Sequence, residues 1–185
     1  MMSRSSWLSL GWTLLAGSAW LSLAIAAPAP SANFAQDTSV TEVDVELVLA
    51  VDISFSMDPD EQELQREGYI HALTSNEFLH ALKQGTHGKI AITYFEWANI
   101  NEQRVIVPWR LIDGPEAADA FVAEIARAPY RRASRTSVSG ALEFAARLFE
   151  NSNYKGIRRV IDVSGDGANN NGPPVAIVRD RKSVV

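Results

Sequence analysis

Three oxygen-bearing side chains lie at alternate positions in one short segment of the sequence. Asp52, Ser54 and Ser56 are separated only by Ile53 and Phe55. In an extended turn, alternate residues point to the same side of the backbone, so these three side chains can form a small cup of oxygen atoms. A hard divalent cation such as Mg²⁺ takes about six oxygen ligands at about 2.1 Å and keeps several waters. The segment therefore suits a magnesium site, with Mn²⁺ and Ca²⁺ as alternatives.

Two later residues complete the cup if their loops converge on it. Thr136 comes just before a predicted helix, and Asp166 comes just after a predicted strand. Two carboxylates about 5 Å apart repel each other by roughly 3 kcal/mol at an effective dielectric constant near 20, and a cation relieves that repulsion. Each motif alone is explained by helix capping or by a turn, and only the combination favours a metal site. The candidate metal ligands are Asp52, Ser54, Ser56, Thr136 and Asp166.

The elements before and after the first motif are predicted from its flanking residues. An apolar, largely β-branched run from Val45 to Val51 predicts a central strand that is covered on both faces. Asp58 is a suitable N-cap and Pro59 a suitable first helical residue, so we predict a helix from Pro59 to about Leu73. A shorter helix follows, carrying Phe78, Leu79 and Leu82.

The rest of the chain continues this alternation. Lys89–Phe95 and Arg104–Val107 are predicted to form a hairpin whose second strand stops at Pro108. Gly114-Pro115 opens a helix, and either Ser137 or Ser139 caps the next one. Arg158–Val163 is predicted to be another buried strand. We therefore expect an α/β fold with a doubly wound, mostly parallel, Rossmann-like sheet and ligands at the carboxyl ends of its strands.

Composition narrows the class of protein. The chain has 185 residues, 46% hydrophobic and 21% charged, which is ordinary for a globular domain and excludes collagen-like or wholly disordered chains. The absence of cysteine excludes disulfide scaffolds, thiolate zinc sites and cysteine nucleophiles. The net charge is −5 and the basic residues are dispersed, so we expect no nucleic-acid partner.

The N-terminus has the layout of a secretory signal peptide. Arg4 precedes an uncharged run from Leu8 to Ala26, and the run ends in small residues. We predict a signal peptide over residues 1–26, a flexible linker over residues 27–42, and a periplasmic or secreted protein. An uncleaved anchor is the alternative, because the run is almost long enough to cross a bilayer of roughly 30 Å. Only that segment would contact a membrane.

The motifs together resemble a known family. Asp52-x-Ser54-x-Ser56, then Thr136 in RTSVSGAL and Asp166 in VSGDG, is similar to a von Willebrand factor type A domain. The segments DPDEQELQREGYIHAL and VIDVSGDGANNNG further resemble a group of exported bacterial single-domain members without an assigned function. The resemblance implies a metal-ion-dependent adhesion site, with hydroxyl ligands from the serines and the threonine. The two aspartates would act directly or through water, and an open coordination position would accept a carboxylate from a partner protein.

One position departs from the family pattern. The family usually has two glycines before the threonine, and this chain has Ser134 and Arg135. Ser137 is therefore an alternative hydroxyl ligand, although Leu142, six positions after Thr136, supports the original register.

Two functions are weighed on these residues. The first is a non-enzymatic adhesion module that captures an acidic residue of a partner protein through the metal. The alternative is a haloacid-dehalogenase-like phosphatase with Asp52 as nucleophile. That family needs an aspartate two positions later as general acid, where this chain has Ser54, and its last motif residue is usually acidic, where this chain has Asn170.

The C-terminal part is shorter than the family pattern. Type A domains usually have about six strands, and about four are predicted here, so we expect the last strands to be missing from a domain over residues 43–179. The strand Arg158–Val163 would then be an exposed apolar edge, which favours aggregation. Residues 180–185 match a translated sequencing adapter, so we predict that they are a non-native tail.

Overall fold

The structure, a computed structural model, describes residues 40–182. The predicted signal peptide, residues 27–39 of the predicted linker and residues 183–185 lie outside this range. Within it, no helix has both the length and the hydrophobicity needed to span a membrane. The described elements are β1 (Thr41–Asp52), α1 (Pro59–Thr74), α2 (Asn76–Lys83), β2 (Ile90–Trp97), β3 (Gln103–Ile112), α3 (Pro115–Arg127), α4 (Val138–Glu150), β4 (Tyr154–Ser164) and α5 (Val175–Lys182).

The four strands form one mostly parallel sheet in the order β3-β2-β1-β4. β1 is parallel to both of its neighbours, and β3 runs antiparallel to β2 as the second strand of a hairpin. Helices cover both faces of the sheet. The α/β fold predicted from the sequence is therefore confirmed. The carboxyl ends of the three parallel strands β1, β2 and β4 lie at the same end of the sheet.

β1 contributes to two hydrophobic cores, one on each face of the sheet, because its side chains alternate between the two faces. Leu49 and Val51 pack on the face covered by α1, α2 and α3. Val48 and Ala50 pack on the opposite face against α4. The buried run that predicted a central strand thus fills both cores.

Side-chain caps define where the helices nearest the first motif begin. Asp58 and Glu61 form a capping box before α1, in which each carboxylate accepts a hydrogen bond from the other residue's backbone N–H, both at 2.8 Å. Ser137 caps α4 by accepting a hydrogen bond of 3.1 Å from the N–H of Gly140. The helix therefore begins just after Thr136, and the cap is Ser137 rather than Ser139.

The predicted end of β3 at Val107 is wrong. The strand continues through Pro108 to Ile112. Its pairing with β2 is irregular at this point, since Tyr94 pairs with Val107 but Ile92 pairs with Arg110. A bulge on an edge strand accommodates a residue without an N–H, so Pro108 interrupts the register and not the strand.

The strand predicted at Arg158–Val163 is confirmed, and so is its place at an edge of the sheet, but its predicted burial is wrong. β4 extends over Tyr154–Ser164, and each of its residues is half-buried or exposed. Among residues 40–182 it pairs only with β1, so it forms an edge of the sheet. Ile157, on this strand, is 62% exposed. Apolar, β-branched sequence identifies a strand but does not report what covers it.

Candidate metal site

The first motif forms a tight turn at the carboxyl end of β1. Asp52 is the last residue of the strand, and its Oδ1 accepts a hydrogen bond of 2.7 Å from the N–H of Ser54. The hydroxyls of Ser54 and Ser56 are hydrogen-bonded to each other. Asp52 and Ser54 are fully buried, whereas Ser56 is exposed. The turn thus presents its oxygens from the interior of the fold out to the surface.

Thr136 reaches the same point from the loop between α3 and α4. Its Oγ1 donates a hydrogen bond of 3.1 Å to Ser54 Oγ, and the residue is almost fully buried. The loop is fixed beside the turn because Ala133 pairs with Ser54 in a short parallel bridge. Ser137, the alternative ligand, uses its hydroxyl in the cap of α4.

Asp166 lies between two glycines that pack directly on the cup. A Cβ at Gly165 would lie 2.7 Å from Asp52 Oδ2, and a Cβ at Gly167 would lie 2.8 Å from Thr136 Oγ1 and from Ser56 Oγ. Only glycine permits this approach of backbone to side chains. The loop after β4 therefore packs its backbone, on both sides of Asp166, against Asp52, Ser56 and Thr136.

The charge of Asp52 is poorly compensated by the protein itself. Burial raises the pKa of the Asp52 carboxyl above its ordinary value. The hydrogen bonds with Ser54 oppose this increase, and the nearby Asp166 carboxylate adds to it. Asp52 Oδ2 is buried and has no hydrogen-bond partner. An unpartnered buried carboxylate oxygen is costly. A cation at this point would satisfy that oxygen.

The donor set restricts the kind of ion that would fit. In the described part of the chain, no cluster of three or more Asp, Glu or His side chains is arranged to hold a metal. Any ion at this position would therefore depend on the hydroxyls of Ser54, Ser56 and Thr136 together with the two aspartates. Neutral oxygen ligands and carboxylates are the ligands of hard cations such as Mg²⁺ and Ca²⁺.

A buried ion pair that the sequence analysis missed supports the α3–α4 loop. Arg66 on α1 and Glu96 on β2 are 2.8 Å apart and almost fully buried. Arg66 also donates a hydrogen bond of 2.6 Å to the carbonyl of Ala128, and its guanidinium lies 3.9 Å from the centre of the Tyr130 ring. One side chain thus joins α1, the sheet and this loop. Nothing in the spacing of α1 distinguishes Arg66 from a surface arginine.

A second arginine joins the same loop to the first motif. Arg132 donates hydrogen bonds to the carbonyls of Phe55, at 3.3 Å, and Met57. Its guanidinium also lies over the Phe55 ring, 5.1 Å from the centroid, and Phe55 is 59% exposed. The neighbouring Arg131 forms an ion pair of 2.8 Å with Glu102. These two arginines are therefore anchored within the chain.

Solved structures with a similar fold have little sequence identity to this chain. Proximal thread matrix protein 1 (PTMP1) from the mussel byssus is 14% identical with a TM-score of 0.57, covering 78% of this chain and 36% of that chain. A second PTMP1 structure has a zinc-occupied MIDAS (metal-ion-dependent adhesion site) motif. It is 15% identical with a TM-score of 0.59 and the same coverage. This chain thus spans about a third of those chains. The likeness shows the fold alone, a mixed α/β, Rossmann-like sheet flanked by helices like that of von Willebrand factor type A domains.

The sequence itself defines the particular family. A family model described as a protein of unknown function, DUF1194, matches residues 42–184. The chain therefore belongs to the DUF1194 family. No curated protein matches the sequence.

Proposed function

We propose that this chain is a non-enzymatic protein-binding module that holds a divalent cation, Mg²⁺ in the first instance, among three loops. The open position on the cation would bind an aspartate or glutamate of a partner protein. The observation that carries the proposal is the buried, unpartnered Oδ2 of Asp52 beside three clustered hydroxyls. The proposed ligands are Asp52, Ser54, Ser56, Thr136 and Asp166.

The composition of the ligand set suits capture of an acid group. The hydroxyls of Ser54, Ser56 and Thr136 carry no charge, so only two carboxylates oppose the charge of a divalent ion. When one of those carboxylates acts through water, the ion keeps part of its positive charge for an outside ligand. Ser56 and Asp166 are exposed, which places the solvent side of the cup where a partner can reach it.

We also propose that the protein acts outside the cytoplasm, in the periplasm or after secretion. The support is the signal-peptide layout of residues 1–26.

A structure of PTMP1, a protein of the mussel byssus, has a zinc-occupied MIDAS motif, which is consistent with metal-dependent adhesion by this fold.

Metal-linked stability tests the proposal. We expect Mg²⁺ at tenfold above its dissociation constant to raise the free energy of unfolding by about 1.4 kcal/mol, and EDTA to remove the gain. Asp52→Asn removes a buried charge, so without metal this variant should be at least as stable as the wild type, but it should not respond to Mg²⁺. Thermal unfolding of the full chain with and without Mg²⁺ measures both effects.

A matched control lies at the opposite end of the strands from the proposed site. Asp113 is exposed and follows β3, next to the amino end of β2. Asp113→Asn changes the net charge as Asp52→Asn does, and it should keep the full response to Mg²⁺. An unchanged metal response in both Asp52→Asn and Ser54→Ala would contradict the proposed site.

Partner capture tests the second half of the proposal. Immobilised wild-type protein should retain an envelope protein of the source cells in Mg²⁺ and release it in EDTA. Immobilised Asp52→Asn protein should retain none of it. Retention that is indifferent to both the chelator and the variant would contradict capture through the metal.

A further inference from the structure

Thr136 is held at both of its backbone polar groups by the loop that carries Asp166. Its N–H donates a hydrogen bond of 2.9 Å to Asn170 Oδ1. Its carbonyl accepts hydrogen bonds from the N–H groups of Asn170, at 2.9 Å, and Asn171, at 3.2 Å. Two of the three proposed metal-binding loops are therefore joined directly, beside the hydroxyl that faces Ser54.

The residue before Thr136 explains why the loop needs this support. Arg135 has a φ of +68°, which places a residue with a full side chain in the left-handed region. This conformation is strained for a residue other than glycine and persists only where surrounding contacts enforce it. The hydrogen bonds at Thr136 act on the next peptide unit. They therefore oppose a change of the Arg135 backbone to a more common conformation. Such a change would turn Thr136 away from Ser54.

The three consecutive asparagines have different targets. The side chain of Asn169 accepts a hydrogen bond of 3.2 Å from the N–H of Ser139, at the start of α4. The side chain of Asn171 accepts one of 2.8 Å from the N–H of Ile100, in the β2–β3 turn. Only Asn170 uses its side chain to hold the backbone of a proposed metal ligand.

We propose that Asn170 is a positioning residue that fixes Thr136 in its place in the metal cup. This role rests on the proposed metal site, since it requires that the Thr136 hydroxyl binds the ion. Groups that orient a metal ligand from outside the coordination sphere commonly change metal affinity by 10–100-fold when they are removed. Asn170 is exposed, so replacing it leaves no cavity in the core.

The magnesium affinities of four full-length variants, each compared with the wild type, test the role. Asn170→Ala and Asn170→Leu both remove the acceptor, and each should raise the Mg²⁺ dissociation constant at least tenfold. Asn170→Asp keeps an acceptor at the same place, so it should bind at least as tightly as the wild type. Asn169→Ala removes three side-chain hydrogen bonds of the same loop, two with Ser139 and one with the carbonyl of Pro173, none of which involves Thr136. Its affinity should remain within twofold of the wild type.

Hydrogen exchange of the Thr136 amide, measured without metal, reports on the same contact independently. The amide should exchange at least tenfold faster in Asn170→Ala than in the wild type and should be unchanged in Asn169→Ala. A wild type with no Mg²⁺ affinity would overturn the proposed function. A wild type that binds Mg²⁺ with the same affinity as Asn170→Ala and Asn170→Leu would overturn the positioning role alone.

Discussion

β2 and β4 are both parallel to β1 and lie on either side of it, yet their surroundings differ sharply. All eight residues of β2 are buried, with β3 beyond it and helices on both faces. No residue of β4 is fully buried, and no strand among residues 40–182 pairs with its outer edge. Neighbouring strands of one sheet can thus differ in how much their side chains contribute to stability.

The difference matters for the candidate site because the site uses both sides of the sheet. Asp52 ends β1 beside the buried strand β2, and Ser54 follows it, whereas Asp166 comes after the more exposed strand β4. Regions with fewer buried contacts open more easily than the core. A cation shared by these loops would therefore join the less protected strand to the more protected one.

The largest expected effect concerns the ion pairs on the two sides of β1. Arg66 and Glu96 are both buried, so Arg66→Ala leaves an uncompensated carboxylate and should lower the free energy of unfolding by about 3–5 kcal/mol. On the β4 side, Arg159 pairs with Glu46 at 3.3 Å, but its side chain is 39% exposed. Glu46 itself is fully buried, but it keeps a hydrogen bond of 2.8 Å from the N–H of Gly156. Arg159→Ala should therefore cost less than Arg66→Ala, about 2 kcal/mol, because water reaches the arginine end of the contact and the carboxylate keeps one donor. Urea unfolding measures both, and equal losses would contradict the contrast.

Isoleucine truncations sharpen the comparison between the two strands. Ile92 on β2 is fully buried, and Ile92→Ala should cost about 3 kcal/mol through lost burial and the cavity that remains. Ile157 on β4 is 62% exposed, and Ile157→Ala should change stability by less than about 0.5 kcal/mol. Both variants remove the same atoms, so their urea midpoints can be compared directly. A large loss from Ile157→Ala would mean that β4 is covered in solution.

The parts of the fold that were predictable depend on local sequence. Asp58 and Pro59 identify the start of α1, and the run Val45–Val51 identifies a strand covered on both faces, because capping and periodicity act over a few residues. The convergence of Thr136 with Ser54 was predictable only from the order of the motifs and the rule that ligands bind at the carboxyl ends of parallel strands.

The features that were missed depend on residues distant in the chain. The path of β3 through Pro108 requires knowing its pairing with β2, whose register shifts at that point. The burial of Arg66 requires Glu96, 30 positions away. The hydrogen bond between Asn170 and Thr136 spans 34 positions, so the sequence around the asparagines predicts only a loop. No local pattern contains these contacts.

The smallest expected effect concerns the amino ends of the same strands. Asp44 on β1 accepts hydrogen bonds from the N–H groups of His87, at 2.9 Å, and Lys89, at 3.2 Å, which fasten the turn before β2. These bonds, that from His87 above all, hold the pKa of Asp44 below its ordinary value of 3.8. The carboxylate therefore adds stability above about pH 4, and this contribution is lost as the pH falls through the lowered pKa.

Asp44→Asn should consequently be less stable than the wild type at pH 7, and the difference should shrink as the pH falls below 3.8. On the β4 side, Lys155 and Glu42 form an ion pair of 3.6 Å whose side chains are 71% and 61% exposed. Lys155→Ala should change the free energy of unfolding by less than about 0.5 kcal/mol at pH 7. Urea unfolding of both variants between pH 3 and pH 7 measures this. A difference between wild type and Asp44→Asn that stays constant over the whole range would show that the carboxylate's charge does not fasten β1 to the turn before β2.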